Sequence, residues 1–308
     1  MAAVARTSTI RPFRPSDAEQ AAELLFELAP ANVRTAAWLR DRQLCEPERA
    51  RRRSWVAVEN DSLIAFATAY RRWYGGESDT GRIEIWVRPE RRRRGIGSEL
   101  WETAVAHLGV GRLTVEVDDD PAGLEFVEHR GFTQFDSEVI SRLEPRRANL
   151  SQTSPPGFSV LRLDEVAGRD QELFAFYAAA GGLDPGDPEN RVTFDEWRPF
   201  ILGNPLLDGQ GSVVLADGEG RIVSLSWLLV DHERRRAENE WTATLPKLRG
   251  RGLARVAKSA TIRWAARQGL TEILTGNDPD NVPMRELNRR LGYVELFVRR
   301  DLELRLDG

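Results

Sequence analysis

A repeat constrains this 308-residue chain more than anything else in it. The stretch Arg92-x-x-Gly95-x-Gly97 returns as Arg249-x-x-Gly252-x-Ala254 at an offset of 157 residues, and Gly131-Phe132 returns as Gly292-Tyr293 at an offset of 161. Two landmarks that keep nearly one spacing mark an internal duplication, so one fold must be built twice. The length suits two units of about 150 residues each. Residues 1–145 and 157–308 are the expected domains. Residues 146–156, rich in proline, serine and arginine without apolar periodicity, are the expected linker.

Each half presents the same order of elements. In the first, short β-like runs at residues 9–13, 55–59, 63–71 and 82–88 accompany two helical stretches near 17–28 and 35–44. The glycine-rich loop then leads into a helix, a strand at 113–117, a short helix and a final strand pair. The second half repeats this with a hairpin around residues 217–220, a strand at 238–245 and the loop at 245–254. Hairpin-length links among strands interleaved with helices imply an α/β (α+β) chain. Each half is expected to hold a mixed, mostly antiparallel sheet flanked by helices.

The loops are the chemically informative part. Gly250 and Gly252 let a backbone approach a ligand closely, and the first N–H groups of the following helix have no intrahelical partner. The helix dipole and Arg249 and Arg251 add positive charge, which makes an anion cradle suited to a pyrophosphate. Arg92, Arg93, Arg94 and Gly95 offer the same arrangement in the first half. Taken alone, either loop also reads as a solvated basic turn.

The whole pattern resembles the GNAT superfamily of acyl-CoA-dependent N-acyltransferases. It comprises Arg-x-x-Gly-x-Gly/Ala after a strand ending in proline, then helix, strand, short helix and Gly-Phe/Tyr. The resemblance covers both halves, and the second is the closer match. It implies two tandem domains of that fold with acetyl-CoA as co-substrate. The pyrophosphate would rest on Arg93, Arg94, Gly95, Ile96, Gly97 and Ser98, or on Gly250, Arg251, Gly252, Leu253, Ala254 and Arg255. The pantetheine arm would pair with strand backbone near Val87 or Thr244. Asn281, with Asn277, either bonds that arm or caps the short helix.

Acyl transfer to an amine needs a base, a donor for the carbonyl oxygen and a proton for the departing thiolate. Where many relatives carry an acidic tyrosine, this chain has Val127 and Asn288. Asn288 can donate a hydrogen bond toward sulfur, and Val127 cannot. Glutamates on the fourth strand are the candidate bases: Glu240 first, Glu238 second, and Glu84 in the first half. Strand alternation puts Glu84 on the face opposite to both others unless a bulge intervenes. A bland alternative makes these glutamates surface or ion-paired carboxylates.

Composition narrows the classes. The net charge of −4 argues against a nucleic-acid partner. No apolar run approaches a membrane span, so a cytoplasmic protein is expected. Cys45 is the only cysteine, read as a packed thiol, and the histidines have no metal-ligand spacing. Trp73 and Tyr74 are candidates for shaping an acceptor pocket, and acidic loops at 77–79 and 184–189 are compatible with a cationic amine. The expected activity is acetyl transfer from acetyl-CoA to a primary amine of a small molecule, by a monomer or homodimer, with catalysis in the second half. A non-catalytic acyl-CoA sensor and a protein N-acetyltransferase are the alternatives.

Overall fold

The computed structural model describes residues 8–74, 79–150, 155–181 and 192–306. Among the described residues twelve strands form one continuous sheet. Those of the first half are β1 (Thr9–Pro12), β2 (Arg53–Glu59), β3 (Ser62–Arg71), β4 (Thr80–Val87), β5 (Arg112–Val117) and β6 (Thr133–Leu143). The second half supplies β7 (Ser159–Arg162), β8 (Val213–Ala216), β9 (Ile222–Asp231), β10 (Arg236–Thr244), β11 (Glu272–Asn277) and β12 (Val294–Arg305). The spatial order is β1-β2-β3-β4-β5-β12-β6-β11-β10-β9-β8-β7.

That order contains a strand exchange. β12 pairs antiparallel with β5, and β6 pairs antiparallel with β11, so each half ends inside the other half's ladder. β6 and β12 then pair with each other, and the sheet reads alike from either end. The two halves are sequence repeats but share one sheet.

Helices cover both faces. On one face α1 (Ala18–Leu28) and α2 (Ala36–Arg42) pack on Val56, Leu63 and Phe66. On the same side α5 (Asp170–Ala180) and α6 (Phe194–Trp197) cover Leu225, Trp227 and Ala243. On the other face α3 (Ile96–Leu108) and α4 (Pro121–Glu128) bury Leu100, Ala104 and Val127 against Ala67 and Ile83. Their counterparts α7 (Leu253–Arg267) and α8 (Val282–Leu291) bury Ile262, Ala265 and Leu291 against Ala237 and Ile273. Fully burying the valines, leucines, isoleucines and phenylalanine among them contributes roughly 1.5–3 kcal/mol each.

Two readings of aromatic and thiol side chains resolve here. Trp73 is buried and sits 4.9 Å from the Phe200 ring of the second half, so it helps to hold the halves together. Burial pushes the Cys45 thiol up to about 11, as befits a packed thiol. The acidic stretch at 184–189 and residues 77 and 78 lie outside the described residues, as do 151–154 of the expected linker. Among the described residues no helix is long and apolar enough to cross a membrane, and no group of histidine, cysteine or carboxylate side chains could hold a metal.

Candidate functional site

The two glycine-rich loops adopt one conformation. Arg93 and Gly250 occupy matching positions with φ of 61° and 79°, and Gly95 and Gly252 follow with 83° and 80°. Left-handed backbone at both positions turns the chain sharply into α3 and α7, whose first turns point their N–H groups outward. The first intrahelical bonds are Glu99 N–H to the Gly95 carbonyl and Val256 N–H to the Gly252 carbonyl. The amides of Ile96, Gly97 and Ser98, and those of Leu253, Ala254 and Arg255, therefore remain for an anion. Space around Gly95, Gly250 and Gly252 is open, so φ rather than crowding selects glycine there. In the first half Arg93 carries the left-handed turn with a side chain, at a cost of about 1 kcal/mol.

The loop arginines also match. Arg92 Nε donates to the Val87 carbonyl at 3.1 Å, and Arg249 Nε donates to the Thr244 carbonyl at 3.2 Å. Each guanidinium ties the loop to the last residue of the strand before it. Arg92 continues to the Asp120 carboxylate at the start of α4, whereas Arg249 continues to the Ala180 carbonyl at the end of α5.

Beside each loop the sheet opens. β4 pairs with β5 only from Thr80 to Arg82, and β10 pairs with β11 only from Arg236 to Glu238. Beyond those residues the parallel strands diverge. Arg88 N–H still donates to Ile64 and Leu245 N–H to Val223 on the antiparallel side. Backbone groups alternate direction along a strand, so Val87 and Thr244, one residue earlier, aim theirs into the gap. In the first half the gap widens into a cavity of about 360 Å³ whose lining includes Glu84, Val87, Gly95, Ser98 and Val127. Val127 gives that wall an apolar side chain and no proton.

The two gaps differ most in charge. Glu84 lies 3.2 Å from Arg34 and 3.5 Å from Arg82, with the Tyr70 hydroxyl 3.4 Å away. Burial alone would raise its carboxyl, but Arg34, Arg82, Arg52 and Arg299 together hold it below the usual range. It is an ionised, ion-paired carboxylate.

In the second half Glu238 accepts a hydrogen bond from the Val33 N–H at 3.0 Å, and burial outweighs that bond and raises its carboxyl. Glu240 reaches water, yet the crowd of protein around it desolvates it enough to push it up to about 8. The charges of Glu238 and Glu138 add to that rise, and Arg42 opposes it. Tyr177, stacked on Trp227 and 4.6 Å from the Trp241 ring, stands close by on α5.

Strand alternation alone misplaces these glutamates. β10 carries a bulge between Glu238 and Trp241, and its extra residue changes the parity along the strand. Counting from the first residue of each parallel pairing, Thr80 and Arg236, Glu84 and Glu240 stand at the same step. Glu84 pairs with Arg34 at 3.2 Å and Glu238 accepts from the neighbouring Val33 N–H at 3.0 Å, so both face the turn before α2. Glu84 is thus not on the opposite side, and the bulge is the reason.

Asn288 is buried on α8, and its Nδ2 donates to Asn277 Oδ1 at 2.5 Å at the open end of β11. Its Oδ1 has no hydrogen-bond partner. Asn281 caps α8 by accepting from the Met284 N–H at 3.3 Å. Glu138, Arg34 and Arg299 were not legible as site residues, because the turn before α2 and the last two strands carry no motif.

Two anion cradles beside two opened strand pairs, in one chain, define a tandem nucleotide-cofactor fold with two potential sites. The comparisons with known proteins place it more narrowly. The model of the acetyltransferase (GNAT) family matches residues 19–132 and 172–293, well over half of the chain. The protein belongs to that family and is an acetyl-transferring enzyme in tandem form. It is similar to the mycothiol acetyltransferase of a Nocardioides species, with 25% identity over 295 residues, covering 91% of this chain and 92% of that one. The mycothiol acetyltransferase of Clavibacter michiganensis is 26% identical over 224 residues, 70% of this chain and 69% of that protein. Among solved structures, a tandem GNAT protein from the clavulanic acid biosynthesis pathway superposes with a TM-score of 0.75 at 18% identity, covering 98% of this chain and 99% of that one. A GCN5-related N-acetyltransferase from Sphaerobacter thermophilus gives 0.72 at 16% identity, over 98% and 96%. At such identities the structures speak for the fold.

Proposed function

We propose that the second half transfers an acetyl group from acetyl-CoA to a primary amine of a small molecule, while the first half binds coenzyme A without turnover. The observation that carries this is the contrast between Glu84, neutralised by arginines, and Glu240, whose carboxyl stands near 8. A base must be able to take a proton near working pH, and of the two matching strand glutamates Glu240 is the one placed for it. The relatives named mycothiol acetyltransferases favour a small-molecule acceptor over a protein one.

The chain's own residues divide the work. The amides at the start of α7, with Arg251 and Arg255, hold the pyrophosphate. The Thr244 N–H, facing the gap, donates to the thioester carbonyl as negative charge develops there. Glu240, with Glu238 second to it on β10, takes the proton from the attacking amine. The new C–N bond forms as the C–S bond breaks, and the thiolate is protonated through solvent beside the Asn288 amide. Attack on the thioester is direct, without a covalent intermediate on the enzyme.

The test is a steady-state assay with acetyl-CoA and a panel of small amines, alongside calorimetric titration of coenzyme A. Turnover that vanishes in Glu240→Gln while two coenzyme A molecules still bind supports the reading. Binding without turnover toward any amine or peptide would instead mark an acyl-CoA sensor.

A further inference from the structure

The strand exchange gives each gap a residue from the other half. Glu138 on β6 and Arg299 on β12 stand directly opposite each other in the central pair and lie 3.5 Å apart. They occupy matching positions in the two repeats, but one is an acid and the other a base. Arg299 serves the first gap: it lines the cavity and bonds the Asp118 carboxylate at 2.6 Å, with Glu116 at 3.8 Å. Glu138 serves the second.

What lets Glu138 reach that gap is a missing side chain. Gly276 on β11 stands where the first half has Glu116, and a Cβ there would land on the Glu138 carboxylate. Glu138 therefore lies across the β11 backbone. The parallel register, Arg236 with Glu272 through Glu238 with Leu274, is carried one step further by the Thr275 hydroxyl, which donates to the Asn239 carbonyl at 3.1 Å. Gly276 is the next residue of β11 and Glu240 the next of β10. In the first half the place of Gly276 is taken by Glu116, whose carboxylate pairs with Arg82.

We propose that Glu138, lent by the first half's last strand, is a positioning residue for Glu240: its carboxylate over Gly276 adds negative charge at the gap and so shifts upward the pH range in which Glu240 takes a proton from the acceptor. This rests on Glu240 being the base. The groups facing Glu240 are Glu238 on its own strand, Glu138 on β6, Arg42 on α2 and Tyr177 on α5. Those facing Glu138 are Arg299 and Asp301 on β12, Glu116 on β5 and Glu238 on β10. Glu138 itself is raised to about 7, chiefly by burial, so it carries charge over the upper part of the range where Glu240 titrates. In the first half the corresponding exchanged residue is a cation, and the carboxylate it faces is held ionised.

The decisive experiment is the pH dependence of kcat/KM for Glu138→Gln, Glu138→Asp and Gly276→Ala. Removing a like charge lowers the proton affinity of Glu240, so the acid limb should move down by about one pH unit in Glu138→Gln with the high-pH plateau kept. Gly276→Ala, which leaves the glutamate in the chain but evicts its carboxylate, should move the limb the same way. Glu138→Asp should restore most of the wild-type limb. A purely structural role would lower Tm and leave the limb in place, which would overturn the proposal. Carboxyl NMR of the ligand-free, glutamate-labelled protein reads the coupling without turnover. There the Glu240 midpoint should fall in Glu138→Gln, and an unmoved midpoint overturns the proposal. If Glu240→Gln turns over normally, the base assignment fails, and the ligand-free titration still decides the coupling on its own.

Discussion

The two gaps share their scaffold and differ in their charges. Both have two left-handed residues in the loop, an arginine bonded to the last strand carbonyl, and a helix start aimed at an anion. Around the strand glutamate, however, the first half gathers Arg34, Arg82, Arg52 and Arg299, and the second gathers Glu238 and Glu138 against Arg42. A duplicated backbone preserves anion binding cheaply, because amides and dipoles belong to the main chain. Proton transfer depends on side chains, and a few substitutions are enough to separate the copies.

The sharpest way to break this comparison is to exchange the fates of the two glutamates. Glu240→Gln should lower kcat by about 10²–10³-fold, the usual scale for a lost general base, with the affinity for coenzyme A unchanged. Glu84→Gln should leave kcat within a small factor. The opposite outcome in a steady-state assay would move catalysis to the first half.

Next in size is the loop pair. A valine in left-handed backbone is strained by about 1–2 kcal/mol, so Gly252→Val should lower kcat/KM for acetyl-CoA by more than tenfold. Gly95→Val should leave turnover nearly intact and reduce the calorimetric stoichiometry of coenzyme A from two to one. Turnover lost at Gly95 and kept at Gly252 would reverse the assignment.

Stability separates the halves by sign. Glu84→Gln strips the counter-charge from Arg34 and one of those around Arg82, and should destabilise by about 3 kcal/mol in urea at pH 7. Because the folded protein holds Glu84 below its ordinary value of 4.5, its contribution is present above that pH and disappears as the pH falls through the lower folded value. Glu240 behaves oppositely. Its carboxyl is raised from 4.5 to about 8, so the folded state is favoured below 4.5 and loses that advantage as pH rises through 8. Tm of Glu240→Gln relative to wild type should therefore climb between pH 5 and pH 9. A flat difference would mean that Glu240 is not held in this way. The smallest effect is expected at Asn288, where an alanine removes one amide beside the leaving sulfur. There kcat should fall by about tenfold or less, since one hydrogen bond contributes roughly 0.5–1.5 kcal/mol net and solvent remains to give the proton.

Much of this was legible from local chemistry. Glycines at 95, 250 and 252 imply left-handed backbone, the prolines at 89 and 246 end strands, and a helix pattern follows each loop. These signals act over a few residues, which is why they survive in the sequence. The bulge in β10 was not legible, because Asn239 and Glu240 look like ordinary strand residues and only pairing with Leu229 and Trp227 shows that one is extra. Nor was Glu138 legible, one carboxylate among many on a long final strand.

By itself, then, the sequence determined the duplication, the two cradles and the candidate glutamates, since each follows from residue spacing and backbone preference. Only the tertiary structure decided which strand lies beside which. β6 and β12 have similar length and alternation, so the energy of pairing within a half or across halves is not encoded in either strand alone. It depends on the whole sheet closing at once. That choice placed Arg299 at one gap and Glu138 at the other, with Gly276 leaving the room. Burial and the fields of a few nearby charges then set what each glutamate can do.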